Sequence, residues 1–339
     1  MINRKNIIRN AQIVATLILV GLSIACSNSA DELQQDQRMP VSFSLGFDVS
    51  VTRTSVFENV WPNNTVITIS NGTNQFNYTT SSTSGSASSG EAVSITPADP
   101  DDQFYWPVSD PSWKFSAWYP ADDENGPRLT MTVVPNQSVK TATNTGGIDE
   151  DEYTGWDILY MPPTAATWRS TVALALKHQL ARVIVTVNTT LTEYHETVEN
   201  IAFGGNRLGL TGTGTVSNTD GQITWAASGT SSITNMRDRT TAEETAVNRY
   251  VFECLLPPQA NNTTTEELIK ISTTGAIKEG TTTPEPRTYI YKNAFNLLPG
   301  YQYTYNLVIT EKGKVLLGSV ELSQWDIKTG VDDIQTITR

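Results

Sequence analysis

Cys26 is the residue in this chain best placed to do covalent chemistry. It ends a largely apolar run over residues 11–25 that is interrupted only by Gln12, Thr16 and Ser23 and preceded by Arg4, Lys5 and Arg9. A basic start, an apolar middle and the small Ala25 before the thiol read as an export signal. The run is shorter than the roughly 20 apolar residues a membrane span needs. A thiol at that point can accept a diacylglyceryl group, after which cleavage between Ala25 and Cys26 leaves the lipid on the first mature residue. The pattern resembles the lipobox of bacterial lipoproteins, with Ser23 where Leu is more usual. The competing reading is an ordinary export signal with an incidental cysteine.

The other reactive side chains form no catalytic pattern. Cys254 lies in Tyr250-Val251-Phe252-Glu253-Cys254-Leu255-Leu256 and reads as a buried small hydrophobe, the usual fate of a free cysteine. With Cys26 acylated, no disulfide can form within the chain. His178 and His195 are accompanied by no nucleophile elbow, His-Glu-x-x-His helix or phosphate loop. Gly204-Gly205 and Thr211-Gly212-Thr213-Gly214 read as hairpin turns rather than nucleotide cradles. The acidic run Asp149, Glu150, Asp151 and Glu152 lacks the alternate-residue spacing of a calcium loop and reads as solvated loop. Trp106, Trp113, Phe115 and Trp118 could stack on sugars if exposed, but their placement in alternating segments favours core packing. The expectation is therefore no enzyme, no cofactor and no metal, although sequence alone never excludes a carboxylate pair for glycoside hydrolysis on a β-sandwich.

The elements that would position these residues are short strands. Val41, Phe43, Leu45 and Phe47 alternate with polar or small residues, the period of a half-buried strand. Similar segments follow at 65–70, 75–79, 113–119 and 129–134. A second series covers 171–176, 182–188, 222–226, 250–256, 268–273, 288–291, 301–310 and 314–322, with Asn71-Gly72, Asp220-Gly221 and Lys312-Gly313 among the intervening turns. Many short strands between turns predict an all-β protein built of β-sandwiches. The chain divides into a signal peptide, 1–25; an acidic tether, 26–39; an N-terminal β-sandwich, 40–165; and a C-terminal β-sandwich, 166–339, with the break in the Pro- and Thr-rich stretch 160–170. Segments 81–90 and 137–152 read as loops. Removal of the signal takes away three of the 23 basic residues and none of the 35 acidic ones, moving the formal charge from −12 to −15. Such a surface argues against nucleic acid and anionic lipid as partners, so membrane attachment must come from the acyl chains.

The order of segments resembles the fimbrillin family of the Bacteroidetes, lipoprotein pilins of the type V pilus class. The elements that carry the resemblance are strand 41–47 leading to Thr52-Arg53-Thr54, the aromatic segment Trp113-Lys114-Phe115-Ser116-Ala117-Trp118-Tyr119-Pro120, and Trp156-Asp157-Ile158-Leu159-Tyr160. Segment 172–183, Leu297-Leu298-Pro299-Gly300-Tyr301-Gln302-Tyr303-Thr304-Tyr305 and Trp325 complete the series. The resemblance implies two tandem transthyretin-like β-sandwich domains, a structural or adhesive role and an architectural His178. Its partners would be other pilin subunits, the outer membrane through the lipid, and a host or bacterial surface glycan or protein.

The resemblance also implies assembly by donor-strand exchange after a protease removes an N-terminal strand. A cut after Arg38 would leave 41–47 in place, whereas a cut after Arg53 removes the strand together with Cys26, so Arg53 is the favoured site. This reading expects 41–47 to be an edge strand over an apolar groove. Segments 314–322 and 331–337 are the candidate donors. Asp31-Glu32, soon after Cys26, resembles the surface-export signal of such lipoproteins. The alternative is a monomeric, anchored glycan-binding lipoprotein, which would display Trp106, Trp113 and Trp118 as an exposed coplanar platform.

Overall fold

The structure is a computed structural model and describes residues 39–47, 61–81, 93–108, 113–121, 126–141, 144–191, 196–277, 284–310, 315–324 and 335–336. The alternating segments become strands throughout. In the first half these are β1 (Phe43–Phe47), β2 (Val66–Ser70), β3 (Gln75–Thr80), β4 (Val93–Pro97), β5 (Lys114–Tyr119), β6 (Thr130–Thr132), β7 (Leu159–Ala165) and β8 (Val172–His178). The second half begins with β9 (Ala181–Leu191), β10 (Thr197–Leu208), β11 (Thr211–Val216), β12 (Ile223–Ser228), β13 (Ser231–Ile233), β14 (Arg237–Asp238) and β15 (Arg249–Leu256). It continues through β16 (Gln259–Asn261), β17 (Glu267–Ile277), β18 (Pro284–Lys292), β19 (Phe295–Leu297), β20 (Tyr301–Thr310), β21 (Val315–Gln324) and β22 (Gln335–Thr336).

The first seven-stranded sheet runs β1-β4-β3-β2-β5-β7-β8 and closes because β1 pairs in parallel with β8. Its interior is filled by one side-chain face of each strand, among them Leu45, Ile67, Ile69, Phe115 and Leu174, all essentially inaccessible to water. The second half is a sandwich of two sheets, β13-β10-β17-β18 and β14-β15-β9-β20-β21-β22. Val183, Val185 and Val187 of β9 meet Ile201 and Phe203 of β10 and Ile271 of β17 in its core. Burial of each such side chain contributes about 1.5–3 kcal/mol. The chain is all-β with several sheets, and the described helices are single short turns.

Hydrogen bonding places Val172–His178 with the N-terminal strands, so the chain crosses between halves at Gln179 and Leu180, past the break expected at 165/166. The prolines that suggested the break, Pro162 and Pro163, lie inside β7. They fall where the β5–β7 register shifts, between Phe115↔Thr164 and Ala117↔Met161, and a bulge tolerates residues with no N–H to donate.

Two glycine-rich segments read as turns are strand interiors instead. Thr211–Val216 pairs with both β12 and β6, and a Cβ on Gly212 would sit 3.0 Å from a Pro257 carbon. Here glycine permits close packing rather than reversal. Gly204 and Gly205 lie at positive φ, +94° and +52°, within a register shift of β10, a conformation that favours glycine.

Segment 137–152 is more ordered than a loop. Asn136 bridges Asn235, Val139 bridges Ile148, and Asp149 precedes helix α1 (Glu150–Gly155). The buried Gln137 side chain donates to Leu255 O and accepts from Leu255 N, both at 2.9 Å. Together with the antiparallel β12-β11-β6 sheet, this fastens the β6–β7 segment of the first half to the second.

Candidate functional site

Strand β1 is paired on both sides and buried on one face. Val41, Phe43 and Leu45 are buried, while Ser42 is exposed and Ser44 and Gly46 are half-buried, the alternation the sequence predicts. Phe43 enters an aromatic nest: its ring lies 5.1 Å from Tyr78, 5.1 Å from Phe115 and 6.0 Å from Phe104, each edge to face. Such contacts add about 0.5–1.5 kcal/mol per pair beyond area burial.

Both backbone edges of the segment are occupied. On one side Val41 N donates to Phe104 O at 2.8 Å, Trp106 N donates to Met39 O at 2.9 Å, and β4 continues the antiparallel ladder through Ser44↔Ser94 and Leu45↔Val93. On the other side Val172 N donates to Ser42 O at 2.9 Å, and β8 runs parallel from Phe43↔Val172 to Phe47↔Leu176. The expected edge strand is thus an interior strand, because a parallel partner distant in sequence closes the sheet over it. Without it the molecule would expose two unpaired strand edges and an apolar channel between them, not one edge.

Tyr78 forms part of the channel wall, and its hydroxyl accepts from Phe104 N at 3.3 Å. Burial pushes its phenol from the ordinary 10.0 up to about 12. The fold therefore favours the neutral form, and that contribution is complete below pH 10 and is lost as pH climbs from 10 toward 12. We expect the urea midpoint to fall more between pH 9 and pH 11.5 in the native chain than in Tyr78→Phe. Equal falls in the two proteins would refute this role.

The remaining candidates are placed as follows. Ala25, Cys26, Arg38, Arg53, His195 and Trp325 lie outside the described residues. Cys254 is completely buried in β15, and burial raises its thiol well above the ordinary range, which suppresses the nucleophilic thiolate. His178 is buried with its Nδ1 2.8 Å from Asp157 Oδ1, at the crossing between halves. Trp106 and Trp118 are 4% and 3% exposed. Trp106 and Trp113 tilt by 33°, while Trp118 packs with Tyr160 and Ile223 in a separate cluster. The rings form no exposed coplanar platform.

Of the C-terminal donor candidate 314–322, residues 315–322 occupy a place in their own sheet: β21 pairs with β20 along its length and with β22 at Glu321↔Thr336 and Leu322↔Gln335. A groove of about 310 Å³ runs beneath it, lined in part by Phe295, Tyr303, Tyr305, Leu317, Val320 and Leu322. Sequence reasoning singled out β1, read 75–79 and 171–176 as strands and Phe115 as core, but did not place them around β1. Val172, Leu174 and Leu176 carry the needed alternation, whereas Phe104 sits outside any regular strand and gives no periodic signal.

A family model described as fimbrillin-like matches residues 52–325. No curated protein matches the chain. Among solved structures, a candidate cell adhesion protein from Bacteroides uniformis ATCC 8492 aligns with a TM-score of 0.53 at 18% identity, over 86% of this chain and 98% of that one. Another candidate cell adhesion protein, from Bacteroides ovatus ATCC 8483, aligns with the same TM-score at 14% identity, over 86% of this chain and 99% of that one. At these identities the likeness establishes the fold.

Proposed function

The chain belongs to the fimbrillin-like family, and from that premise we propose that it is a fimbrial subunit whose first strand is a removable plug. Family membership makes it a structural, non-enzymatic, surface-associated protein. In the proposed sequence, Cys26 takes the lipid and cleavage after Ala25 leaves the precursor anchored at the outer membrane. A cut after Arg53, rather than Arg38, then severs both the anchor and β1 from the body. A strand from another subunit takes the place of β1. The observation that carries this reading is the two-sided pairing of residues 39–47 combined with the buried alternation of Val41, Phe43 and Leu45. An incoming strand would satisfy both ladders and bury its apolar face at roughly 25 cal/mol per Å².

Pairing on both sides has a kinetic consequence. Cutting alone leaves the channel filled, because the severed strand keeps its ladder hydrogen bonds and its buried side chains. We expect chain cut after Arg53 to retain the fragment through native gel filtration and to release it in hot detergent. Immediate loss of the fragment would contradict the tight plug. On the bacterial surface, N-terminal sequencing should find assembled material starting at Thr54. A start at Cys26 or Met39 would overturn processing at Arg53.

A further inference from the structure

We infer that the β1 channel selects a donor strand of the pattern aliphatic–x–phenyl–x–aliphatic, supplied by a subunit other than this one. The inference rests on the strand-replacement reading above and names the chemistry of the partner.

Three inward positions define the demand. Val41, Phe43 and Leu45 are 3%, 4% and 0% exposed, so each site is filled by the side chain it now holds. The central site is walled by rings: Tyr78, Phe104 and Phe115 lie edge to face with Phe43 at 5.1–6.0 Å. A phenyl ring fits that nest edge to face. An aliphatic residue there would forfeit the ring contacts, and a larger ring would have to displace walls that are themselves packed core. The flanking sites hold Val41 and Leu45, which pack within the barrel's hydrophobic cluster.

The chain's own C-terminal tail does not meet this demand. From Lys314 to Arg339 its only aromatic residue is Trp325. Aligning Trp325 with the central site puts an indole where a phenyl fits. It also puts Ser323 at the Val41 site, where its hydroxyl would be buried in a hydrophobic cluster. Only Ile327, at the Leu45 site, is apolar and aliphatic. In the remaining registers of 315–337 no aromatic residue reaches the central site. The tail therefore fails at two of three positions in its best register. Self-polymerisation through this channel is disfavoured relative to capture of a different subunit's strand.

The test uses the full mature chain, cut after Arg53 or at a protease site introduced there, with labelled peptides offered in exchange for the severed strand. Three peptides are compared: residues 39–49 of this chain, the same peptide with Phe43→Ala, and residues 321–339. The expected result is exchange with the first, and affinities at least about 100-fold weaker for the other two, the factor that corresponds to truncating a buried phenylalanine. The cut chain alone should form no detergent-resistant ladder. If the first peptide never exchanges even at high excess and long incubation, strand replacement itself is wrong. If it exchanges but the Phe43→Ala peptide does so equally well, selection by the aromatic nest is wrong. If the tail peptide matches the first, or the cut chain ladders by itself, the requirement for a different subunit is wrong while strand replacement stands.

Discussion

Phe43→Ala should lower the stability of the N-terminal barrel by about 3–5 kcal/mol, the range for truncating a fully packed phenylalanine. The reason is specific to the site. The ring is 4% exposed and touches three other rings edge to face. Alanine would leave a cavity bounded by the backbone of two paired neighbours, β4 and β8. Those ladders hold the strands at fixed spacing, so the walls cannot collapse into the space. Ser42→Ala, on the exposed side of the same strand, should change stability by no more than about 0.5 kcal/mol. Urea unfolding monitored by tryptophan fluorescence compares the two, since Trp61, Trp106 and Trp113 surround this core. A loss below about 1 kcal/mol for Phe43→Ala would mean that β1 is not tightly seated. The plug reading adds a second readout: in the cut chain, the Phe43→Ala fragment should dissociate faster than the native fragment.

What sequence alone could reveal of this site followed its periodicity. Val41, Phe43 and Leu45 announce a one-sided strand because alternation is a property of the segment itself. The identity of its neighbours is not. The parallel partner, Val172–His178, is separated from it by most of the barrel, and nothing in either segment's pattern names the other. That is why an edge strand was the natural expectation and an interior strand the outcome. Proline and glycine misled for a related reason. Pro162-Pro163 mark a break unless a bulge absorbs them, as β7 does, and Gly212 and Gly214 mark a turn unless neighbours press too closely for a Cβ. The aromatic segment was legible as core, but Trp118 turns outward from the barrel onto Ile223 of the second half, a contact defined only by tertiary structure. Cys26 and Arg53 are legible from local chemistry alone, and lie outside the described residues.

Glu253→Ala should cost about 3–5 kcal/mol, comparable to breaking any buried ion pair from one side. Glu253 is 1% exposed in the middle of β15 and accepts from Arg182 through Nε, at 3.0 Å, and through Nη2. Arg239 Nε lies 3.6 Å from its other oxygen. A third cation, Arg237, is also buried, stacks 4.8 Å over the Tyr153 ring of α1, and is pushed below the ordinary arginine range chiefly by burial, with the charge of Glu253 opposing that shift. Glu253 thus faces three guanidinium groups beneath the segment between β6 and β7. Its removal leaves Arg182 and Arg237 buried without that counter-charge. The energy should be recovered in part by Arg182→Met in the same chain, since an apolar side chain of similar length needs no counter-ion. Calorimetry of the single and double variants decides this. If Glu253→Ala alone is neutral, the cluster is solvated rather than buried, and if the double variant is no more stable than the single, Arg182 is not the stranded charge. Because Gln137 and Tyr153 fasten the β6–β7 segment onto this same face of β15, Glu253→Ala should also raise the rate of proteolytic cutting within residues 137–158. That outcome would tie the buried charges to the coupling of the barrel to the sandwich.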